Sequence, residues 1–215
     1  MTEMDETRSK IVVAANDLFM KYGIRSVTMD DIARYLGMSK KTIYQSFAEK
    51  DALVSAVNKL HQNMWEAESQ KVKETTSNAI EELLQFSIIF RKALRTMNPS
   101  VMHDMFKYHR ETWEDWNRYK QDVLRQRVTD TIVRGKLDGF FRAEVNEEIL
   151  AIMRIEQIDL GFNDQLFPVG KFNFEEVQMQ FFDHFIYGCL THKGVEQYEK
   201  SKKQIIEREL IPIAK

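Results

Sequence analysis

The chain has one cysteine, three prolines and eight glycines in 215 residues. A lone thiol, Cys189, cannot close an internal disulfide and fits a reducing compartment. So few turn formers exclude a fold of many short strands and leave long helices with short connections. No run of eighteen apolar residues occurs, and the opening MTEMDETRSK lacks the apolar core of a signal peptide. The expectation is a cytoplasmic protein with no membrane partner.

Charge of one sign is also missing. The formal net charge is −2, with nine Lys/Arg against eight Asp/Glu in residues 1–60 and 22 against 25 in the rest. That excludes a broadly basic nucleic-acid binder, but not a module that depends on the local field of one face. There is no glycine-rich phosphate loop, GxSxG, HExxH or CxxC, so no catalytic residues, cofactor or enzyme are expected. His103 and His109 are six apart and do not share a helical face. Cys189, His192 and nearby His184 supply two or three ligands without a fourth, so no metal site is expected either.

What the chain does have is helical periodicity, most informatively at 28–53, TMDDIARYLGMSKKTIYQSFAEKDAL. Ile32, Ala33 and Leu36 make one apolar face of a short helix, and Thr28 can cap its start. Gly37 can end it with positive φ. Ser39 can cap a second helix in which Ile43 and Phe47, four apart, point inward. Lys40, Lys41, Tyr44 and Gln45 are left on the outward stripe. This is the layout of a helix-turn-helix whose second helix enters the DNA major groove. Upstream, Ile11, Ala15, Leu18, Phe19 and Tyr22 form the apolar stripe of a helix closed by Gly23. Downstream, Leu53, Val54 and Val57 open a further one.

Residues 8–57 together resemble the DNA-binding domain of the tetracycline-repressor (TetR) family. Ile11, Ala14, Ala15, Leu18, Phe19, Gly23, Thr28, Ile32, Ala33, Gly37, Ser39, Tyr44, Phe47, Lys50 and Leu53 carry the resemblance in unbroken register. The scarce turn formers and long periodicities make the chain all-α. Its breaks divide it into a three-helix DNA-binding domain with helix-turn-helix over 1–50, a linking helix at about 50–68 and a larger helical domain over 51–215, which the resemblance makes regulatory and dimerising. The DNA-binding candidates are Thr28, Ser39, Lys40, Lys41, Thr42, Tyr44, Gln45 and Lys50. The two helix-front lysines suit guanine acceptors and Gln45 suits adenine. Thr28, Tyr44 and Lys50 sit where the family places phosphate contacts.

The resemblance also implies a homodimer on a palindromic, double-stranded operator and a small-molecule inducer. The candidate dimer interface is the pair of apolar C-terminal helices, Asn146–Leu160 and Glu175–Leu190, the second carrying a broad apolar face of Phe181, Phe182, Phe185, Ile186 and Leu190. Phe86, Phe90, Met97, Met102, His103, Met105, Phe106, Trp113, Trp116 and Tyr119 are the candidate lining for an apolar or aromatic inducer. The same stripe at helical spacing also describes ordinary core. The expected function is a ligand-released repressor. The alternative is an activator or ligand-independent DNA binder whose helical domain docks a protein partner.

The remaining punctuation predicts helices broken at Pro99, capped by Ser100, Thr112 and Asn146, and stopped by Gly194 and Pro212.

Overall fold

A computed structural model describes residues 3–168 and 170–210. Its elements are α1 (Glu3–Tyr22), α2 (Met29–Leu36), α3 (Lys40–Ser46), α4 (Lys50–Thr75), α5 (Ala79–Thr96), α6 (Ser100–Tyr108) and α7 (Arg110–Tyr119). After one π-helical turn (Lys120–Leu124) come α8 (Arg125–Leu137), α9 (Glu147–Gly161), α10 (Phe174–Cys189) and α11 (His192–Leu210). Among the described residues there is no strand, only an isolated antiparallel bridge between Phe141 and Leu190. The chain is all-α. No described helix is long and apolar enough to cross a membrane.

Several boundaries differ from the sequence expectation. Ser100 does not cap α6. Pro99 stands at the N-cap without a side-chain bond, while Asn98 Oδ1 accepts from the Ser100 amide at 3.0 Å. Thr112 lies inside α7, its hydroxyl 2.7 Å from that of Ser55. Asn146 does cap α9, accepting from the Ile149 amide at 3.0 Å. Helix α10 stops at Cys189 rather than at Gly194, because the next residues bond to another segment. Arg142 N–H donates to Cys189 O at 2.8 Å and Thr191 N–H to Phe140 O at 2.9 Å. Pro212 lies outside the described residues.

Two compact units emerge, each discontinuous in sequence: residues 1–67 with 94–119, and 68–93 with 120–215. The first is larger than the contiguous domain expected at 1–50, because polar rungs join α7 to the front of α4. His109 Nδ1 lies 2.9 Å from Asp51 Oδ1. Gln62 donates to Asp115 at 3.0 Å and Tyr119 to Glu66 at 3.0 Å. The partners advance together along both helices, so α4 and α7 run parallel. Such ladders between distant segments leave no trace in hydrophobic periodicity.

The second unit has its own core, built from Ile80, Leu83, Leu84, Ile132, Phe141, Val145, Phe182, Phe185, Ile186, Cys189, Leu190 and Tyr198. Phe182, Phe185, Ile186 and Leu190 are each at most 5% exposed and bury within the chain itself. Phe181 is half-buried and packs edge-on against Phe167 at 5.6 Å. An all-round apolar helix reads as surplus surface in sequence, whereas here α5, α8 and the 140–145 loop consume it.

Candidate nucleic-acid interface

The interface candidate is built on the first three helices. Ile11, Ala14, Ala15 and Phe19 of α1 bury with Ile24, Val27, Ile32, Ala33, Ile43 and Phe47, all at most 3% exposed. Side chains four apart on α3 are thereby anchored on one side. Tyr22, expected on the inner stripe of α1, is instead 50% exposed, with the Lys21 ammonium 5.1 Å from its ring centre.

The turn between α2 and α3 is set by local chemistry. The Thr28 hydroxyl accepts from the Asp31 amide at 3.1 Å, and Asp31 Oδ2 accepts from the Thr28 amide at 2.9 Å. This reciprocal capping box satisfies amides that a helix start leaves open. The bonds donated by Thr28 hold the Asp31 carboxyl below its ordinary range. At the other end Gly37 adopts φ 63, a left-handed conformation that a side chain would strain. Its neighbour Met38 donates back to Ala33 O at 2.9 Å, which ends α2 sharply. Ser39 then starts α3, its hydroxyl accepting from the Thr42 amide at 3.1 Å.

The result presents Lys40, Lys41, Tyr44 and Gln45 exposed, with Thr42 half-buried beside them. Tyr44 is 48% exposed. The Lys40 ammonium pairs with Asp30 on the preceding helix, so part of the positive field on this face is held by α2. Ser39 and Thr28 are exposed but engaged as caps.

Lys50 is placed differently. It is half-buried, and its ammonium donates to the Ile24 carbonyl at 2.6 Å. Burial pulls its pKa below the ordinary lysine value.

Arg8 was not anticipated from sequence. Its guanidinium lies 4.0 Å from the centre of the Phe47 ring and donates to the Ser46 carbonyl at 2.5 Å. A cation there complements the carbonyl end of α3. The partners are 38 residues apart, beyond the reach of any local pattern. Gly23 (φ 83) also has a second role. A Cβ there would meet Ser100 Oγ at 2.4 Å, so α6 seats against the end of α1. Nearby, Asp104 accepts from the Arg25 amide at 2.9 Å.

Residues 11–57 match the family of bacterial regulatory proteins named tetR. Over that segment the chain is similar to the TetR family. A similar curated relative is an uncharacterized HTH-type transcriptional regulator, YvaF, of Bacillus subtilis, 32% identical over 89 residues. That match covers 41% of this chain and 47% of the relative, so it spans less than half the relative's length. In fold, a TetR-family regulator from Agrobacterium tumefaciens aligns with TM-score 0.72 at 15% identity, over 88% of this chain and 100% of that one. A regulator from Saccharomonospora viridis, solved in complex with choline, aligns with TM-score 0.69 at 19% identity, over 87% and 100%. At such identities the likeness extends to the fold and not to the ligand.

The ten candidate lining residues do not fall in one unit. Phe86 and Phe90 are half-buried on α5, in the second unit. The others belong to the first, where Met102 and Met105 are buried and Met97, Trp113, Trp116 and Tyr119 half-buried. Phe106 is 62% exposed, against Trp113 at 5.3 Å, and His103 is exposed, so neither walls an enclosed site. Trp116 and Tyr119 pair at 6.2 Å. A cavity of about 150 Å³ lies elsewhere, among Thr76, Asn78, Glu82, Arg134 and Asp138. It is polar, and its buried Glu82 is already bonded by Thr131 and Arg134. Among the described residues no group of three His, Cys, Asp or Glu could hold a metal ion.

Proposed function

We propose that this chain is a TetR-type, sequence-specific DNA-binding transcriptional regulator, a repressor released from a palindromic operator by a small molecule. The observation that carries the DNA reading is the two-sidedness of α3. Ile43 and Phe47 are at most 1% exposed, while Lys40, Lys41, Tyr44 and Gln45 all stand on the exposed side. The lysines offer cations to guanine acceptors, Gln45 a bidentate amide to adenine, and Tyr44 a hydroxyl to phosphate. Thr28 and Lys50 serve the same surface as builders, one capping α2 and the other bracing the α1–α2 turn.

One such helix covers few base pairs, so two copies related by a two-fold axis are needed for a specific site. Helix α9 offers the surface for a second copy. Ile149, Ile152, Met153 and Leu160 form an exposed apolar stripe, 64%, 44%, 37% and 41% accessible, and Tyr187 of α10 is 42% accessible. In this reading the interface is this outer stripe, with the α10 phenylalanines supporting it from inside.

The inducer binds the larger helical region. The choline-bound relative supports the capacity of this fold to hold a small molecule. Helix α4 is continuous from Lys50 to Thr75, and a shift of that helix alters the spacing of the two reading helices. Duplex half-sites tolerate little error in that spacing, so DNA is released.

Fluorescence anisotropy with a duplex from the gene's own upstream region tests this reading. Wild type binds it well above a scrambled duplex, and Lys41→Ala loses the difference while keeping its helical circular dichroism. Equal binding of both duplexes by the wild type rejects the regulator reading.

A further inference from the structure

Helices α9 and α10 pack antiparallel, and three contacts fix their register. The Phe162 and Phe174 rings lie 4.4 Å apart. Gln178 Nε2 donates to the Ile158 carbonyl at 2.9 Å. The Arg154 guanidinium lies 5.5 Å from the centre of the Phe182 ring. One turn forward on α9 is therefore one turn back on α10, and Arg154 and Gln178 are neighbours along a single seam.

A seam inside a helical unit needs only apolar side chains, yet this one holds polar groups without partners. Arg154 is 9% exposed and Gln178 0%. Arg154 Nη1 and Gln178 Oε1 have no hydrogen-bond partner among the described residues. Gln157 Oε1 and Asp159 Oδ1 of the same α9 are likewise unpartnered. The orientation of the Gln178 amide is not arbitrary, because only its nitrogen can donate to the Ile158 carbonyl. Its oxygen is thus the free atom. Gly161 lies hard against this amide, where a Cβ would meet Nε2 at 2.1 Å, so Gln178 has little freedom to turn away.

The charges sharpen the picture. Lys120, only 2% exposed in the π-helical turn, is ion-paired with Asp159 of α9. That pair is neutral as a whole. Among the described residues Arg154 has no such anion, and burial alone pulls its pKa down to about 10, which still leaves it protonated at neutral pH. A buried guanidinium without an anion is strongly unfavourable, and its planar fork matches a carboxylate edge-on.

We propose that Arg154 and Gln178 form a binding site on the α9–α10 seam for a small organic acid. Arg154 Nη1 pairs with the carboxylate, and Gln178 Oε1 accepts a hydrogen bond from a hydroxyl or amine on the same molecule. The Phe182 ring beneath the guanidinium provides a flat apolar surface for the body of that acid. Only the description of this acid as an effector rests on the regulatory reading above. The site itself rests on the seam.

The test uses the full chain with 4-hydroxybenzoate as probe and 4-hydroxybenzamide as its neutral counterpart. Calorimetric titration shows binding of the acid and not the amide, and Arg154→Met abolishes it. Without ligand, Arg154→Met melts roughly 4 °C above wild type, because an uncompensated buried charge is replaced by an apolar chain of similar length. Gln178→Leu weakens 4-hydroxybenzoate binding and leaves that of plain benzoate unchanged. No binding of the acid by wild type, equal binding of acid and amide, or an Arg154→Met chain that melts below wild type each overturns the proposal. Anisotropy on the promoter duplex separates the two readings. Absence of specific DNA binding with intact acid binding rejects the regulator and leaves the site standing.

Discussion

The Lys50 ammonium donates to the main-chain carbonyl of Ile24 at 2.6 Å, across 26 residues of sequence. The bond ties the first residue of α4 to the turn that follows α1, and so helps fix where α2 and α3 stand. A lysine that looks like a free phosphate contact in sequence is thus a brace in the structure.

This separates two lysines that sequence alone treats alike. Lys50→Ala lowers the unfolding free energy by about 2 kcal/mol, the scale of a hydrogen bond to a charged group, measured by urea denaturation. Lys41→Ala leaves stability within about 0.5 kcal/mol and lowers the slope of log K against log salt by about 1. A fall in that slope for Lys50→Ala, with stability unchanged, would show its ammonium on phosphate instead.

Asp30 holds the Lys40 ammonium on the exposed face. Exposed pairs of this kind are worth less than about 1 kcal/mol, so the lysine is readily released. Asp30→Asn is expected to raise affinity for specific and scrambled duplexes alike, by roughly threefold at low salt. The gain fades at high salt. A gain confined to the specific duplex would assign Lys40 a base contact rather than a general field.

The capping box links stability to acid pH. The Thr28 hydroxyl and amide lower the Asp31 pKa. The unfolded chain therefore takes up this proton first as pH falls. The contribution of the carboxylate is full above the ordinary value of about 4 and is lost as pH drops below it toward the folded value. Thr28→Ala removes the cap at a cost of about 1 kcal/mol and flattens this acid limb. Thermal melts of both chains between neutral and strongly acid pH check the sign.

His61 gives a second, separate pH window. Its Nε2 lies 2.7 Å from Asn16 Oδ1, and burial alone lowers its pKa. The unfolded chain binds this proton more readily, so stability is full above about 6.5 and declines as pH falls below it. His61→Gln keeps a donor toward Asn16 and removes the titration. Its melting temperature should change less than that of wild type between pH 7 and pH 5. An unchanged slope would mean that another group dominates this range.

The helix-turn-helix was legible in sequence because its determinants are local. Thr28, Gly37 and Ser39 act within four residues of themselves, through caps and a positive φ, and Ile43 and Phe47 define their face by spacing alone. The all-α class followed from scarce prolines and glycines and from long periodicities. Hydrogen bonds between charged side chains and distant segments were not legible. Arg8 on Ser46, Lys50 on Ile24 and Asp115 on Gln62 join residues 26 to 53 positions apart, and no residue type announces its distant partner.

Apolar patterns have a similar limit. They state that a side chain leaves water, not what covers it. Phe182 and Ile186 went into their own core because the Phe141 loop and α5 reached them. Ile149 and Ile152, with the same chemistry, were left outside. The buried Arg154 is the clearest case, since an arginine in an amphipathic helix reads as a solvated charge by default. Sequence determined the helices, most of their caps and the exposed face of α3, because those depend on interactions within a turn or two. Only the tertiary structure decided which lysine is a brace, which apolar face remains open and which charge is stranded, because burial belongs to the packing of distant segments.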